Sequence, residues 1–291
     1  MKEYLLGFFK EFGYEVSDGE VLLSLYDKIS KNSEERKIFE GILSYYEKNP
    51  DFCYQDFIIT PMIKLSELAG AHPYTANLLV HICMAKRLRE LYSERELDDG
   101  IYKNTILDLK WKLIECKLVK GIVGAFTFKW FEGFFNLTRF ALGRLQFEIL
   151  KAKCDYDKNG IKLINGTSSV INVHIPRTGT PLDKESCDAS YSQAREFFKK
   201  ITGEELHFVC RSWLLFPENE RILSPTSNVY RFMSEYDVVS FEYNNGEDLW
   251  RLFDTDEKNP EKLPVNTSLR WRYANHLKNG GRVGEGYGVK W

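Results

Sequence analysis

Apolar residues recur at three- and four-residue spacings from the start of the chain to about residue 136, with few alternating stretches, and that period predicts an all-helical region. Ser33, Glu34 and Glu35 set a cap and an acidic first turn before Ile38, Phe39, Ile42, Leu43 and Tyr46, which share one helix face. Gly70 ends one helix, and His72-Pro73 begins the next, whose buried stripe is Leu78, Ile82, Ala85, Leu88 and Tyr92. Another helix opens at Asp98-Asp99-Gly100, carries Thr105, Leu109, Lys112 and Leu113 toward Cys116, and stops at Gly121 and Gly124. Phe126, Phe128, Trp130, Phe131, Phe134 and Phe135 make the next segment too aromatic for a solvated linker. It is expected to be a short helix forming a hydrophobic seam between the two halves.

After Leu142 the pattern shifts to short β-rich runs at 144–150, 162–164, 170–175, 207–215 and 238–243. Asp157-Lys158-Asn159-Gly160 is a turn signal between the first two runs. Helical patterns intervene at 184–201, where Ala189, Ala194, Phe197 and Phe198 can face a sheet, and at 227–236. The expected fold class is α+β: an all-α N-terminal domain over 1–140, then a mixed, mostly antiparallel sheet with flanking helices over 141–291.

The 291 residues carry a formal net charge of −2, so nothing global draws the chain to nucleic acid or to an anionic membrane. An anion site must therefore be local. The first ten residues lack the apolar core and cleavage site of a secretory leader, and Lys129, Glu132 and Arg139 interrupt the most apolar region. A cytoplasmic protein without a membrane span is expected. Cys53, Cys83, Cys116, Cys154, Cys187 and Cys210 are scattered with no Cys-x-x-Cys pair, so neither a disulfide framework nor a metal site is expected.

The candidate chemistry centres on residues 170–183. An apolar strand runs through Val173-His174-Ile175, ends at Pro176, passes Arg177-Thr178-Gly179-Thr180, and enters a helix behind Asp183. Pro176 removes a ladder hydrogen bond, so the sheet is expected to splay or reach an edge there. Unpaired N–H groups at such a slot can hold a carbonyl oxygen, and the loop beyond can hold a phosphate. An ordinary capped strand-to-helix connection is the alternative, because Asp183 and Glu185 suit a self-satisfied helix start. Alternation puts His174 with Asn172, opposite Val173 and Ile175, and an imidazole there is a candidate general base. Cys210 and Ser212 lack the setting of a nucleophile elbow. Gly284, Gly286 and Gly288 alternate, which in an extended strand leaves one face bare for another backbone. Trp250, Trp271, Tyr273 and Trp291 with Arg251, Arg270 and Arg272 offer a stacking surface for single strands, which the neutral net charge argues against.

The order of elements resembles the GNAT-type N-acyltransferase superfamily: paired strands, a strand ending in Pro, a helix, a second long strand, another helix and a terminal strand pair. More specifically, Leu142 to Glu148, Val173-His174-Ile175-Pro176, Ser190 with Gln193-Ala194, Cys210 with Ser212 to Leu215, and Ser227-Asn228 resemble a bacterial group of two-domain acyltransferase-like proteins. In that group an all-helical N-terminal domain precedes a GNAT-like C-terminal domain. The resemblance implies acyl-CoA as co-substrate, admitted between strands 170–175 and 207–215, and a small-molecule or peptide amine as acceptor. It implies donor-binding roles for Ile175, Arg177, Thr178, Gly179 and Thr180, with His174 as base and Tyr236 as acid for the leaving thiolate. The loop keeps only the arginine and one displaced glycine of the superfamily's phosphate-binding pattern. A non-catalytic binding or scaffold protein that retains the fold is the alternative function.

Overall fold

A computed structural model describes residues 1–48, 53–246 and 248–290. The chain forms two compact units, Met1–Thr138 and Arg139–Trp291. The first unit contains α1 (Lys2–Glu11), α2 (Val16–Lys31), α3 (Ser33–Lys48), α4 (Thr60–Leu68), α5 (Pro73–Glu94), α6 (Asp99–Lys120) and the short α7 (Glu132–Phe135). A π-helical turn, Gln55–Ile59, leads into α4. Ser33, expected as a cap, is instead the first residue of α3, whereas the caps of α5 and α6 follow the local sequence. The His72 ring accepts from the Tyr74 N–H, Asp98 accepts from the Gly100 and Ile101 N–H groups, and Gly121 ends α6 in the left-handed conformation.

Helix α5 is buried almost all round through its first half, from Thr75 to Ala85, which identifies it as the central helix of this unit. His81 lies in its middle with no exposed surface. Its Nδ1 stands 2.6 Å from the Asn77 carbonyl, so Nδ1 carries the proton and donates it. Nε2 is then an acceptor for the Tyr54 hydroxyl. The aromatic segment folds as a 3-10 turn, Phe128–Phe131, followed by α7, and its rings pack within this unit. The Phe135 ring lies 5.6 Å from Tyr46 and 5.2 Å from His81, and the Tyr46 hydroxyl donates to the Phe135 carbonyl at 3.0 Å.

The second unit is built on a six-stranded sheet in the order β1-β2-β5-β6-β8-β7. Its strands are β1 (Arg139–Leu142), β2 (Leu145–Lys151), β5 (Ser169–His174), β6 (Phe208–Ser212), β7 (Asp237–Asn244) and β8 (Val283–Lys290). All neighbours are antiparallel except β5 and β6. The turn at 157–160 does not join sheet strands as expected. It closes a separate hairpin, β3 (Tyr156–Lys158) with β4 (Ile161–Ile164), which packs Tyr156 and Ile164 over Val170, Val209, Tyr287 and Val289. The opposite sheet face is covered by α8 (Lys184–Thr202). Tyr191 of that helix lies 6.0 Å from Phe147 and 5.0 Å from Phe208, and Phe197 lies 4.8 Å from Phe140.

The strand expected at 207–215 ends at Ser212, whose hydroxyl accepts from the Leu214 N–H and caps a 3-10 turn, Trp213–Leu215. That turn, α9 (Asn219–Ile222) and α10 (Asn228–Ser234) lead into β7. Between β7 and β8 an insertion carries α11 (Leu249–Phe253) and α12 (Ser268–Lys278). Strand β7 is a sheet edge with Val238, Val239, Phe241 and Tyr243 exposed, and its register to β8 shifts at Val239. Among the described residues no helix is long and apolar enough to cross a membrane.

The glycines of β8 explain how this end of the sheet closes. A methyl group on Gly286 would stand 2.2 Å from the Leu215 carbonyl oxygen, one on Gly284 would stand 2.2 Å from the Glu242 carbonyl oxygen, and one on Gly288 would meet Tyr236 at 3.0 Å. The bare face thus receives the 3-10 turn and the side chain of Tyr236. Gly286→Ala is expected to lower stability by about 2–3 kcal/mol through overpacking against backbone, measured by denaturant unfolding. A second expectation follows from His81, whose burial pulls its pKa from 6.5 down to about 4. The unfolded chain then binds the extra proton between those values, so the contribution is complete above about pH 6.5 and is lost as pH falls toward about 4. Its size is about 3 kcal/mol, and His81→Gln is expected to flatten that part of the stability–pH curve.

Candidate active site

The parallel pairing of β5 with β6 consists of two registered pairs, Ile171 with Phe208 and Asn172 with Val209. Beyond them β5 stays paired with β2 as far as His174 opposite Gln146, and β6 stays paired with β8 as far as Ser212 opposite Gly286. Each strand keeps its outer neighbour while leaving its inner one, so the sheet opens between Val173-His174 and Cys210-Arg211-Ser212. The glycine-rich tail is a sheet strand between β6 and β7 and does not plug this opening.

On the face bearing Asn172, His174 meets a carboxylate from the neighbouring strand. Its Nε2 lies 3.0 Å from Glu148 Oε2 and 3.0 Å from the Asn172 carboxamide, and Arg139 Nη2 donates to the same Glu148 oxygen at 2.8 Å. Burial opposes ionisation of Glu148, but contact with His174 and Arg139 outweighs it and holds the carboxyl below its usual range. An ionised Glu148 requires the proton on Nε2, which leaves the basic lone pair on Nδ1. Asn172 then turns its carbonyl oxygen toward the ring. Glu148 was not singled out as a site residue from the sequence. Alternation puts Gln146 and Glu148 on one face of β2, but only the register Glu148 opposite Asn172 brings it to the histidine.

On the other face, Tyr236 is buried and its hydroxyl shares a 2.7 Å hydrogen bond with the Tyr191 hydroxyl. Burial, reinforced by Tyr191, raises the Tyr236 pKa well above 10.0, so it is a neutral phenol. Cys210 is fully buried and burial raises its thiol pKa, which keeps it protonated. Neither it nor Ser212, occupied in capping, has the surroundings of a nucleophile.

The loop from Pro176 to Asp183 is tied down by arginines from other elements. Arg144, in the β1–β2 turn, donates to the Pro176 carbonyl at 2.9 Å and the Pro181 carbonyl at 3.1 Å, and Arg231 of α10 donates to the Leu182 carbonyl at 2.8 Å. Asp183 caps α8 by accepting from the Ser186 N–H at 2.9 Å. Thr178 and Thr180 share a hydrogen bond through their hydroxyls at 2.7 Å. Arg177 is ion-paired with Asp254 of the insertion, which also pairs with Arg270. The loop thus gains positive charge from two other segments, through Arg144 and Arg231, while Asp254 offsets its own Arg177. Of the residues expected to offer a stacking surface, Tyr273 is buried, Trp271 is exposed, Arg251 covers the Trp250 ring at 4.4 Å, and Trp291 lies outside the described residues.

Residues 8–137 match the N-acyltransferase N-terminal domain, and residues 139–290 match the GNAT-like C-terminal domain. The chain belongs to this two-domain family. Among solved structures it is similar to an acyltransferase in complex with decanoyl-CoA, at 18% identity and a TM-score of 0.75 over 97% of this chain and 85% of that one. A second, an acyltransferase in complex with CoA and 10C-teicoplanin, shares 18% identity at a TM-score of 0.66, covering 98% of each chain. A variant acyltransferase in complex with octanoyl-CoA aligns at 17% identity and a TM-score of 0.75, over 99% of this chain and 87% of that one. No curated protein matches the sequence.

Proposed function

We propose that this protein transfers an acyl group from acyl-CoA to an amine of a small-molecule or peptide-like acceptor. The observation that carries the reading is the two-rung parallel ladder that opens between β5 and β6, in a chain whose family is built around acyl transfer. The neighbours solved with decanoyl-CoA, octanoyl-CoA and teicoplanin support both the donor and the class of acceptor. Donor binding belongs to the domain over 141–291, with the helical domain over 1–140 preceding it.

In this reading the thioester lies in the opening with its carbonyl oxygen against the Ile175 N–H, and the loop Arg177, Thr178, Gly179 and Thr180 faces the phosphates. The acceptor nitrogen attacks the carbonyl carbon, and its proton passes to Nδ1 of His174. Glu148 stabilises the imidazolium through Nε2, as a carboxylate does in other base–orienter pairs. The carbon–sulfur bond then breaks, and the thiolate takes the Tyr236 hydroxyl proton, the phenolate being held by the Tyr191 hydroxyl. His174 and Tyr236 come from opposite sheet faces, which suits an acceptor and a leaving group on opposite sides of the opening.

Calorimetry with free, acetyl- and decanoyl-coenzyme A is the first measurement. Saturable heat is expected, and silence with all three removes the donor assignment. With an acyl-CoA and a set of amines followed by intact mass, His174→Ala is expected to lower turnover about 10²-fold or more with donor affinity unchanged, and Glu148→Gln about 10-fold. Binding without transfer to any acceptor would favour the scaffold reading, and wild-type turnover in His174→Ala would remove that residue from the mechanism.

A further inference from the structure

The insertion between β7 and β8 is attached at both sides of the opening by unlike contacts. Beyond the end of β6 the attachment is buried: Tyr273 of α12 is 3% exposed, its ring packs edge-on 5.7 Å from Trp213, and its hydroxyl bonds the Asn219 side chain. Asn219 in turn donates to the Trp213 carbonyl at 2.7 Å. Beyond the end of β5 the attachment is ionic and partly wet. Asp254, at the C-terminus of α11, puts one carboxylate oxygen on Arg177 and the other on Arg270, with side-chain exposures of 18%, 29% and 15% for the three. Arg270 is fixed within the insertion, donating from Nε to the Leu252 carbonyl at 2.8 Å and from Nη1 to Asn266 at 3.0 Å. Asp254 also holds a left-handed backbone, φ +55°, a conformation that costs a non-glycine residue and persists where surrounding contacts enforce it.

We propose that the insertion is a latch on the donor loop, with the Asp254 carboxylate occupying Arg177 until a phosphate of the donor displaces it. A carboxylate and a phosphate oxygen make the same charge-assisted, forked contacts with a guanidinium, so they compete for Arg177. Linkage makes the competition reciprocal: whatever phosphate gains at Arg177, the insertion loses. The buried Tyr273 attachment contains no group that a phosphate can displace, so release at Asp254 loosens the segment around α11 while α12 stays anchored. The inference rests on the donor reading above and adds to it a cost of binding, set by Asp254, and a mobile element, the insertion.

Hydrogen exchange by mass spectrometry on the full chain tests this, with saturating coenzyme A and with pantetheine, which has no phosphate. Coenzyme A is expected to raise exchange over residues 249–258 about five-fold or more, and pantetheine to leave it unchanged. Asp254→Asn keeps a side chain that tolerates the left-handed backbone while removing the charge. It is expected to show raised exchange without ligand and to bind coenzyme A about five-fold more tightly. Unchanged or slowed exchange in the coenzyme A complex overturns the latch. So does equal coenzyme A affinity in variant and wild type, which leaves the donor reading standing. If neither protein binds coenzyme A, the donor reading itself fails and the competition with it. Should the variant not fold, the two wild-type arms carry the same decision.

Discussion

Two parallel strands that share only two rungs can part only if each is held firmly on its outer edge, because backbone N–H and C=O groups are obligatory hydrogen-bonding groups. The C-terminal unit is organised around that requirement. Strand β5 keeps its outer edge bonded to β2 and β6 keeps its own bonded to β8, while Ile171 donates inward to the His207 carbonyl and the residues beyond it face the opening. Strand β8 can serve β6 and β7 together while the 3-10 turn after β6 lies across it, because its glycines present no side chains on that face. Without that stripe the turn could not lie against β8, and β6 would have no room to leave the sheet where it does.

The second organising force is charge. The loop from Pro176 to Asp183 carries one arginine of its own, yet Arg144 and Arg231 reach its carbonyl oxygens, and Asp254 pairs with both Arg177 and Arg270. Using arginines on carbonyls fixes the loop's path without consuming its N–H groups. The histidine side of the opening follows a similar logic on a smaller scale: Arg139 holds Glu148, and Glu148 holds the ring of His174. Each of these side chains is set by a neighbour from a different strand or helix.

That dependence on neighbours decides what could be read from the sequence. The strand ending at His174 and the helix after Asp183 were legible because alternation and an N-cap are local signals. The helical first unit was legible through its period, and the motifs of the second were enough to indicate the family. For β8 the alternating glycines announced an extended segment with one bare face, but carried no hydrophobic signal to set its ends or its place between β6 and β7. The residues 213–215 looked like strand by composition, but Ser212 caps a turn there. Glu148, Arg144, Arg231 and Asp254 needed register or tertiary convergence, neither of which is encoded in spacing. The insertion had no motif, and its part was visible only once Asp254 was seen between two arginines.

Strand β7 carries one more implication. Its apolar side chains and unpaired backbone edge are the features by which folded proteins recruit stray strands and precipitate. Here the extra residue at Val239 breaks the even spacing that a straight incoming strand would need. The two acidic groups of the strand are ion-paired while remaining open to solvent, Asp237 with Lys158 and Glu242 with Arg211. The bulge and the exposed ion pairs together make this edge a poor template for an incoming strand, so straightening the bulge would bring its apolar side chains into the even spacing that strand addition needs.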